Sequence, residues 1–422
     1  MANQQPLSPI DPANRVSLEV NGMVYEGWKT VRIHHSIEQL AGTFSLDVTE
    51  LWPDQSEAWA IEPGASCTVK IGGDVMITGY IDSVKVKVSP TEHTITIDGR
   101  DKTGDLVDCS PEPKEWVGLT FEQIALEVLS PFGINLVTQL ETGASGYIPK
   151  KPGKAKEPAK AAGGGGGKLP KKAANSGETV HKLLEKLAKI QGVLLISDRL
   201  GGLMVTRAGL NGAATDVLAV GQNLKSIDYD RSFANLFSKI TVKGQAVGAT
   251  IPGQQVLSVV TSVKPTATVV RGGGAGPSAT TGSAAVQRYR PLILMAEEQA
   301  DQARCKTRAE WEASTREAKA KKISVKVQGW RQSDGKLWTI NTLARMKSAF
   351  VREDQDLLVS TLEYSLDLSG GTVCSMVLQS PKAYDVLKEI PKPTGGGGGG
   401  ASSPRALSAA NATFQQPGRR GR

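Results

Sequence analysis

The chain has 422 residues, a formal net charge of +8 and an aromatic content of only 5%. A single hydrophobic core rarely serves a chain of this length, so two to four domains are expected. The basic excess is confined to two apolar-poor stretches: residues 150–172 hold eight Lys and one Glu, and residues 401–422 hold four Arg and no acid. The rest is nearly neutral, so a DNA-binding role, which stays open as an alternative, would depend on these two basic stretches.

Alternation of apolar and polar residues predicts several short strands before residue 110. Asn21-Gly22 supplies the two positive-φ positions that a tight hairpin turn requires. Val84, Val86 and Val88 alternate with lysines, and a further alternating run follows after a turn at residues 89–92. We predict a flexible N-terminus over residues 1–14 and a small antiparallel barrel over residues 15–110.

The pattern changes to helical spacing at Thr120, where a helix begins that Pro131 stops. A second helix is predicted from Glu178 to Gln191, followed by two short strands up to residue 207. We therefore predict an α+β module over residues 111–215. A Lys- and Gly-rich stretch at residues 148–174 lies between its halves and is expected to be a flexible loop.

A second alternating region predicts another barrel-like domain over residues 216–385. It contains a Gly-rich loop at residues 248–284 and a long helix at residues 297–321, which we expect to lie across a sheet or against a neighbouring subunit. Residues 386–422 are expected to be a disordered tail. The predicted fold class is α+β, mainly β: two small antiparallel barrel-like domains flank the α+β module, with the long helix inserted in the second barrel.

The cysteines and histidines lack the spacing of metal ligands or of catalytic pairs. Cys67, Cys109, Cys305 and Cys374 are far apart, so we expect reduced thiols in a chain that folds in a cytosol. His34 and His35 point to opposite faces of a predicted strand and cannot share a metal. The remaining histidines, also expected to be ordinary core or surface residues, are His93 and His181.

Three acids fall on one predicted helical face, with a spacing that can hold a cation: Asp101, Asp105 and Asp108. A helix cap with solvated acids explains them more simply. No nucleophile motif or acid/base pair is present. We predict no catalytic residues, no bound metal and no cofactor. The start of the chain also lacks an apolar signal segment, and no apolar run reaches the length of a membrane span.

Short motifs, in a fixed order along the chain, carry a resemblance to a known family. The first two are GYIDS at residues 79–83 and GRDKTGDLVDC at residues 99–109. Others are ETV at 178–180, GVL at 192–194, TVKG at 241–244, RYRP at 288–291 and DGKLW at 334–338. Together they resemble the baseplate hub protein (tail protein gpP) of Mu-like contractile-tailed phages.

This resemblance implies a structural hub in the baseplate of a virion tail, assembled in the host cytoplasm. It implies a homotrimeric ring whose partners are the tail tube protein, the central spike protein and other baseplate proteins. DNA would only pass through the channel as cargo, and contact with the host envelope would be indirect. A tail-associated cell-wall hydrolase is the alternative, as is the hub of a phage-tail-like bacteriocin or secretion device.

Three adjacent charged residues follow a predicted strand end and are candidates for the subunit or partner interface: Arg100, Asp101 and Lys102. Side chains of this kind form ion pairs between subunits. A turn with local caps accounts for the same triplet equally well.

Overall fold

The computed structural model describes residues 11–48, 61–89, 92–140, 172–175, 177–245, 278–281, 286–299, 302–367 and 369–387. The segments predicted to be flexible or disordered, 1–14, 148–174, 248–284 and 386–422, lie mostly outside these residues. In the described part of the chain, helices are too short or too polar to cross a membrane.

The first β region contains seven strands after a short 3-10 helix at Pro12–Asn14. The strands are β1 Val16–Val20, β2 Met23–Tyr25, β3 Thr30–Ser36, β4 Thr43–Val48, β5 Ser66–Ile71, β6 Asp74–Ser89 and β7 Glu92–Asp101. Asn21 and Gly22 have φ values of 51° and 81°, so the predicted hairpin turn between β1 and β2 is confirmed.

The α+β region follows directly. Its elements are α1 Gly104–Asp108, β8 Glu115–Trp116, α2 Phe121–Leu129, β9 Leu136–Thr138, β10 Lys172–Ala173, α3 Val180–Gln191, β11 Leu194–Ser197 and β12 Leu203–Thr206, with a 3-10 turn at Ser130–Phe132. Thr120 and Gln123 form a reciprocal capping box at the start of α2. Gly192 ends α3 in a left-handed conformation with φ of 69°. Both predicted helices are thus confirmed.

The last region completes the β structure. It comprises β13 Leu218–Ala219, β14 Leu224–Arg231, β15 Lys239–Gln245, β16 Ser278–Thr281, β17 Pro291–Gln299, α4 Gln302–Lys319, β18 Lys321–Gln328, β19 Leu343–Ser348, β20 Glu353–Asp367 and β21 Gly371–Gln379, then a 3-10 turn at Pro381–Tyr384. The chain is mainly β, as the sequence predicted.

One thirteen-stranded sheet holds strands from both β regions, in the order β14-β18-β21-β20-β3-β4-β7-β6-β5-β1-β2. Off this path, β19 pairs with β20 and β13 pairs with β19. The regions meet where β3 pairs antiparallel with β20, from Ser36 opposite Thr361 to Val31 opposite Leu366. Among the described strands this path stays open and no closed barrel is found, so the barrel-like shape of the two β regions stays a prediction. The β3–β20 pairing gives each region a neighbour in the other.

A separate three-stranded sheet, β16-β15-β17, lies between β14 and β18 in the chain and carries α4. Cys305 and Ala309 of α4 pack on Val242 and Ala279 of this sheet, which agrees with the expected helix laid across a sheet. The helix begins later than predicted. Residues 297–299 continue β17, because parallel pairing with β15 extends to Gln299.

The hydrophobic core is divided between the two β regions and the α+β region. One large cluster runs through both β regions and contains fully buried residues from each, including Ile33, Leu46, Trp330 and Tyr364. A second cluster packs α2 and α3 against the sheet β11-β12-β9. The β regions therefore share one apolar interior, while the α+β region has its own.

Candidate functional site

Two glycines of the motif region allow β6 and β7 to approach closely. A Cβ atom at Gly79 would lie 1.9 Å from the carbonyl oxygen of Arg100. A Cβ at Gly99 would lie 2.4 Å from the carbonyl oxygen of Tyr80 and 2.5 Å from the Phe44 ring. Real Cβ atoms do not come so close to other atoms, so only glycine fits at either position. This approach fixes where the Arg100–Lys102 triplet leaves the sheet.

Arg100 is held by two carboxylates of its own chain. Its Nε donates to Asp82 Oδ2 at 2.7 Å, and its Nη2 donates to Asp108 Oδ2 at 2.8 Å. These two hydrogen bonds raise the pKa of the Arg100 guanidinium. Its side chain is 34% exposed. Arg100 thereby ties β6 to the end of α1.

Asp101 is buried, only 3% exposed, and its carboxylate accepts hydrogen bonds from three separate segments. Oδ2 accepts from the Gly42 N–H at 2.6 Å and from Ser197 Oγ at 2.6 Å, while Oδ1 accepts from the Thr103 N–H at 2.9 Å and from its hydroxyl. Burial raises the pKa of Asp101, and the hydrogen bonds oppose that shift. The carboxylate links the first β region to the α+β region.

Lys102 completes this junction. Its N–H donates to the Thr78 carbonyl at 3.2 Å. A Cβ at Gly201 would lie 3.1 Å from Lys102 Cδ and 2.8 Å from the same Thr78 carbonyl. Gly201 has φ of 80°, so the turn between β11 and β12 fits closely against the triplet. The contacts of Arg100, Asp101 and Lys102 described here lie within one chain, and their role at a subunit interface stays a prediction.

The sequence did not indicate the partners of the triplet. Ser197 ends a predicted strand and has no distinguishing pattern, and Gly42 lies in a loop. His35 lies beside them: its Nδ1 would be 2.8 Å from a Cβ at Gly42. Burial, reinforced by Arg199 and His34, lowers the pKa of His35 to about 3, and its Nε2 has no hydrogen-bond partner in the described part of the chain. His35 is therefore a neutral core residue.

The three acids weighed as a cation site are used differently. Asp101 binds backbone and hydroxyl groups, and Asp108 binds Arg100. Across the described residues, no group of three or more His, Cys, Asp or Glu is arranged to hold a metal ion. Burial raises the pKa of the Cys67 thiol to about 12 and opposes thiolate formation.

Similarity to a known protein over most of the chain shows the family to which it belongs. The chain is 31% identical over 363 residues to the baseplate hub protein gp44 of Escherichia phage Mu, which covers 85% of this chain and 86% of that protein. The chain belongs to the Mu-like phage baseplate hub proteins.

Family models of these hub proteins match three parts of the chain. Residues 15–101 match the N-terminal domain of Mu phage baseplate assembly protein GpP-like proteins. Residues 103–149 and 159–207 match the second domain of gp44-like baseplate hub proteins, and residues 301–387 match the fourth domain of GpP. The resemblance inferred from the short motifs is thus confirmed.

Solved structures agree with this placement. The 43 kDa tail protein of prophage MuSo2 from Shewanella oneidensis is 32% identical, with a TM-score of 0.69, and covers 88% of this chain and 99% of its own. A tail protein from Neisseria meningitidis MC58 shares the fold at 20% identity and a TM-score of 0.67, covering 89% of this chain and 98% of its own. This chain is therefore a structural protein of a phage tail baseplate, in which it serves as a hub.

Proposed function

We propose that copies of this hub protein form a closed homotrimeric ring that joins the hexameric tail tube to the central spike. The observation that supports the ring is the β3–β20 pairing, because it places two β regions of one chain side by side in a single sheet. Three such chains present six β regions. A hexameric partner can be matched by that number.

In this ring, the chain is divided as the sequence predicts. Residues 15–110 and 216–385 supply the β regions of the ring, and residues 111–215 supply the α+β region. Arg100, Asp101 and Lys102 then act at the interface indirectly, by fixing the β6–β7 hairpin against the α+β region. Other baseplate proteins surround the ring, DNA passes through it as cargo, and assembly takes place in the host cytoplasm. Contact with the host envelope is made through the spike.

The mass of the purified chain in solution tests the ring. Sedimentation at several concentrations is expected to give a constant mass of about three times 44.7 kDa, since a closed ring saturates at a fixed number of copies. A chain that stays monomeric at every concentration, with and without co-expressed spike protein, would overturn the trimer.

We also infer that the hub acts without catalysis. Its relatives carry the names of baseplate and tail proteins. The described acids of the junction are engaged in structural hydrogen bonds. Incubation with purified cell walls is expected to release no more soluble fragments than a buffer control, with lysozyme as the positive reference. Release that increases with protein concentration would revive the hydrolase alternative.

A further inference from the structure

The chain contains the same five-strand arrangement twice. In the first β region, β3, β4, β5, β6 and β7 pair in the spatial order β3-β4-β7-β6-β5. In the second, β14, β18, β19, β20 and β21 pair in the spatial order β14-β18-β21-β20-β19. Strands of equal rank in the chain occupy equal positions, and all these pairings are antiparallel.

A β-bulge sets the alignment between the two repeats. The long strand β6 is irregular between Ile81 and Ser83, and its equivalent β20 is irregular between Val359 and Thr361. Superposing the bulges superposes buried residues on buried residues. The matched pairs are Ile97 with Met376, Ile95 with Cys374, Phe44 with Ile323, Leu46 with Val325 and Val31 with Ile227. All except the partly buried Ile227 belong to the core.

The two repeats are connected by pairing between one edge of each, and we call this pairing the joint. β3 binds the half of β20 that follows the bulge, from Thr361 to Leu366. The equivalent edges are those of β14 and of the half of β6 after its bulge, Ser83–Ser89. Within the described residues, β14 is paired along its length only with β18, apart from a single bridge between Leu224 and Val220, and this half of β6 is paired only with β7. In the described part of the chain, neither edge has a second strand beside it.

We propose that β14 of one copy pairs antiparallel with the Ser83–Ser89 half of β6 in the next copy. The joint inside the chain is then repeated between chains. This inference rests on the proposed ring, to which it adds the contacting strands. One sheet runs through intrachain and interchain joints in alternation and closes when the ring closes.

The register of the intrachain joint, transferred through the bulge alignment, gives two apolar pairs. Tyr364 opposite Ile33 becomes Val86 opposite Tyr229, and Leu366 opposite Val31 becomes Val88 opposite Ile227. Val86 is 60% exposed, Val88 is 70% exposed and Tyr229 is 36% exposed in the single chain, whereas Tyr364, Ile33 and Val31 are fully buried. Exposed apolar residues on both edges are thus explained by the same joint.

The same register opposes unlike charges. Glu363 opposite His34 becomes Lys85 opposite Asp230, and Ser365 opposite Arg32 becomes Lys87 opposite Asp228. Directly opposed residues share a face of an antiparallel pair, so each lysine lies beside an aspartate. Lys85 also binds Asp98 of its own chain at 2.6 Å and would lie between two carboxylates. A shift of one residue in either direction would place Lys87 opposite an apolar residue, Ile227 or Tyr229.

Disulfide trapping tests the register directly. In a Cys109→Ser background, which removes the exposed native thiol, Val86→Cys combined with Tyr229→Cys is expected to give covalent multimers on a non-reducing gel. The matched control, Val86→Cys with Asp228→Cys, points the thiols to opposite faces and is expected to remain uncrosslinked. Equal crosslinking in both variants, or none in the first, would overturn the joint.

A charge exchange tests the same joint without cysteines. Lys87→Asp and Asp228→Lys each place like charges in opposition, and each is expected to weaken association about fivefold per joint. The combined variant is expected to return to within about twofold of the unmodified chain. Lys182→Asp, on the exposed face of α3, is the matched control and should leave association unchanged. Thermal unfolding of each variant checks that it is folded.

These outcomes separate the joint from the trimer. A trimer that survives both single reversals and resists trapping would keep the ring and overturn the joint. Trapped multimers with charge rescue, in an assembly of another copy number, would support the joint and overturn the trimer. An unmodified chain that does not associate, together with a Val86→Cys/Tyr229→Cys variant that is not trapped, would overturn both.

Discussion

Ser197 Oγ donates a 2.6 Å hydrogen bond to Asp101 Oδ2 across 96 residues of chain. The same oxygen accepts the Gly42 N–H, so two segments and β7 converge on one buried carboxylate. Since a buried donor without an acceptor is costly, this carboxylate is a strong determinant of how the α+β region sits on the sheet.

Replacement of Asp101 with Ala is expected to lower the free energy of unfolding by about 3 kcal/mol or more, since donors from Gly42, Thr103 and Ser197 lose their acceptor. Asp101→Asn keeps one oxygen and should cost less. Urea unfolding measures both. Asp105→Asn, four residues further on, is the control. Equal stability of the Ala and control variants would contradict the role given to the carboxylate.

Replacement of Gly79 with Ala is expected to destabilise the chain severely, because its Cβ would meet the Arg100 carbonyl oxygen at 1.9 Å. Gly73→Ala is a matched control: a Cβ there has no heavy atom within 4 Å. Soluble yield and melting temperature of the two variants provide the comparison. If both variants melted within about 2 °C of each other, the close approach of β6 and β7 would not be essential.

Tyr364 and Trp338 form a buried polar contact in the shared core. The Tyr364 hydroxyl donates to the Trp338 carbonyl and accepts from Arg199 Nη2 at 3.4 Å. Tyr364→Phe is expected to cost about 1–2 kcal/mol in unfolding free energy, since the ring stays and the hydroxyl is lost. Tyr289→Phe is the control, because Tyr289 is 84% exposed. A loss no larger than in this control would show that the hydroxyl contributes little.

His35 gives the stability a defined pH dependence. Its pKa falls from 6.5 in the unfolded chain to about 3 in the fold, so the unfolded state binds the proton first. Stability is therefore expected to fall as pH drops from 6.5 towards 3, by roughly 4–5 kcal/mol in full. The pKa of Asp101 is raised, so its effect on stability has the opposite sign. Its contribution to the free energy of unfolding declines as pH rises above the ordinary Asp pKa.

The difference between the unmodified chain and His35→Gln isolates the histidine. Unfolding free energy measured from pH 7 to pH 4 should decline less in His35→Gln. Parallel curves for the two proteins would mean that His35 accepts a proton in the folded state at an ordinary pH.

Local patterns in the sequence predicted many of the elements. The capping residues Thr120 and Gln123, and the turn at Asn21-Gly22, are local signals, and both elements are present. Residues 297–299 are strong helix formers, but pairing with β15 makes them strand. Strand pairing across the chain overrides local propensity at such positions.

The sequence did not predict which strands pair when they lie far apart in the chain. Alternation identifies β3 and β20 as strands, but it carries no information that Ile33 lies opposite Tyr364. The same limit applies at the junction. Three adjacent charges at Arg100–Lys102 predicted ion pairs between subunits or a locally capped turn. In the structure Asp101 is buried and is bound by Ser197 and Gly42, which lie far away in the chain.

The position of α4 and the small sheet has a consequence for how this chain can vary. Arg231, the last residue of β14, lies directly opposite Lys321, the first residue of β18. The intervening segment, 232–320, thus leaves and re-enters the sheet at one point, as the loop of a single hairpin does. A two-residue turn could connect the same strands. Such a segment can be exchanged, enlarged or fused to a foreign domain while every strand of the thirteen-stranded sheet keeps its neighbour.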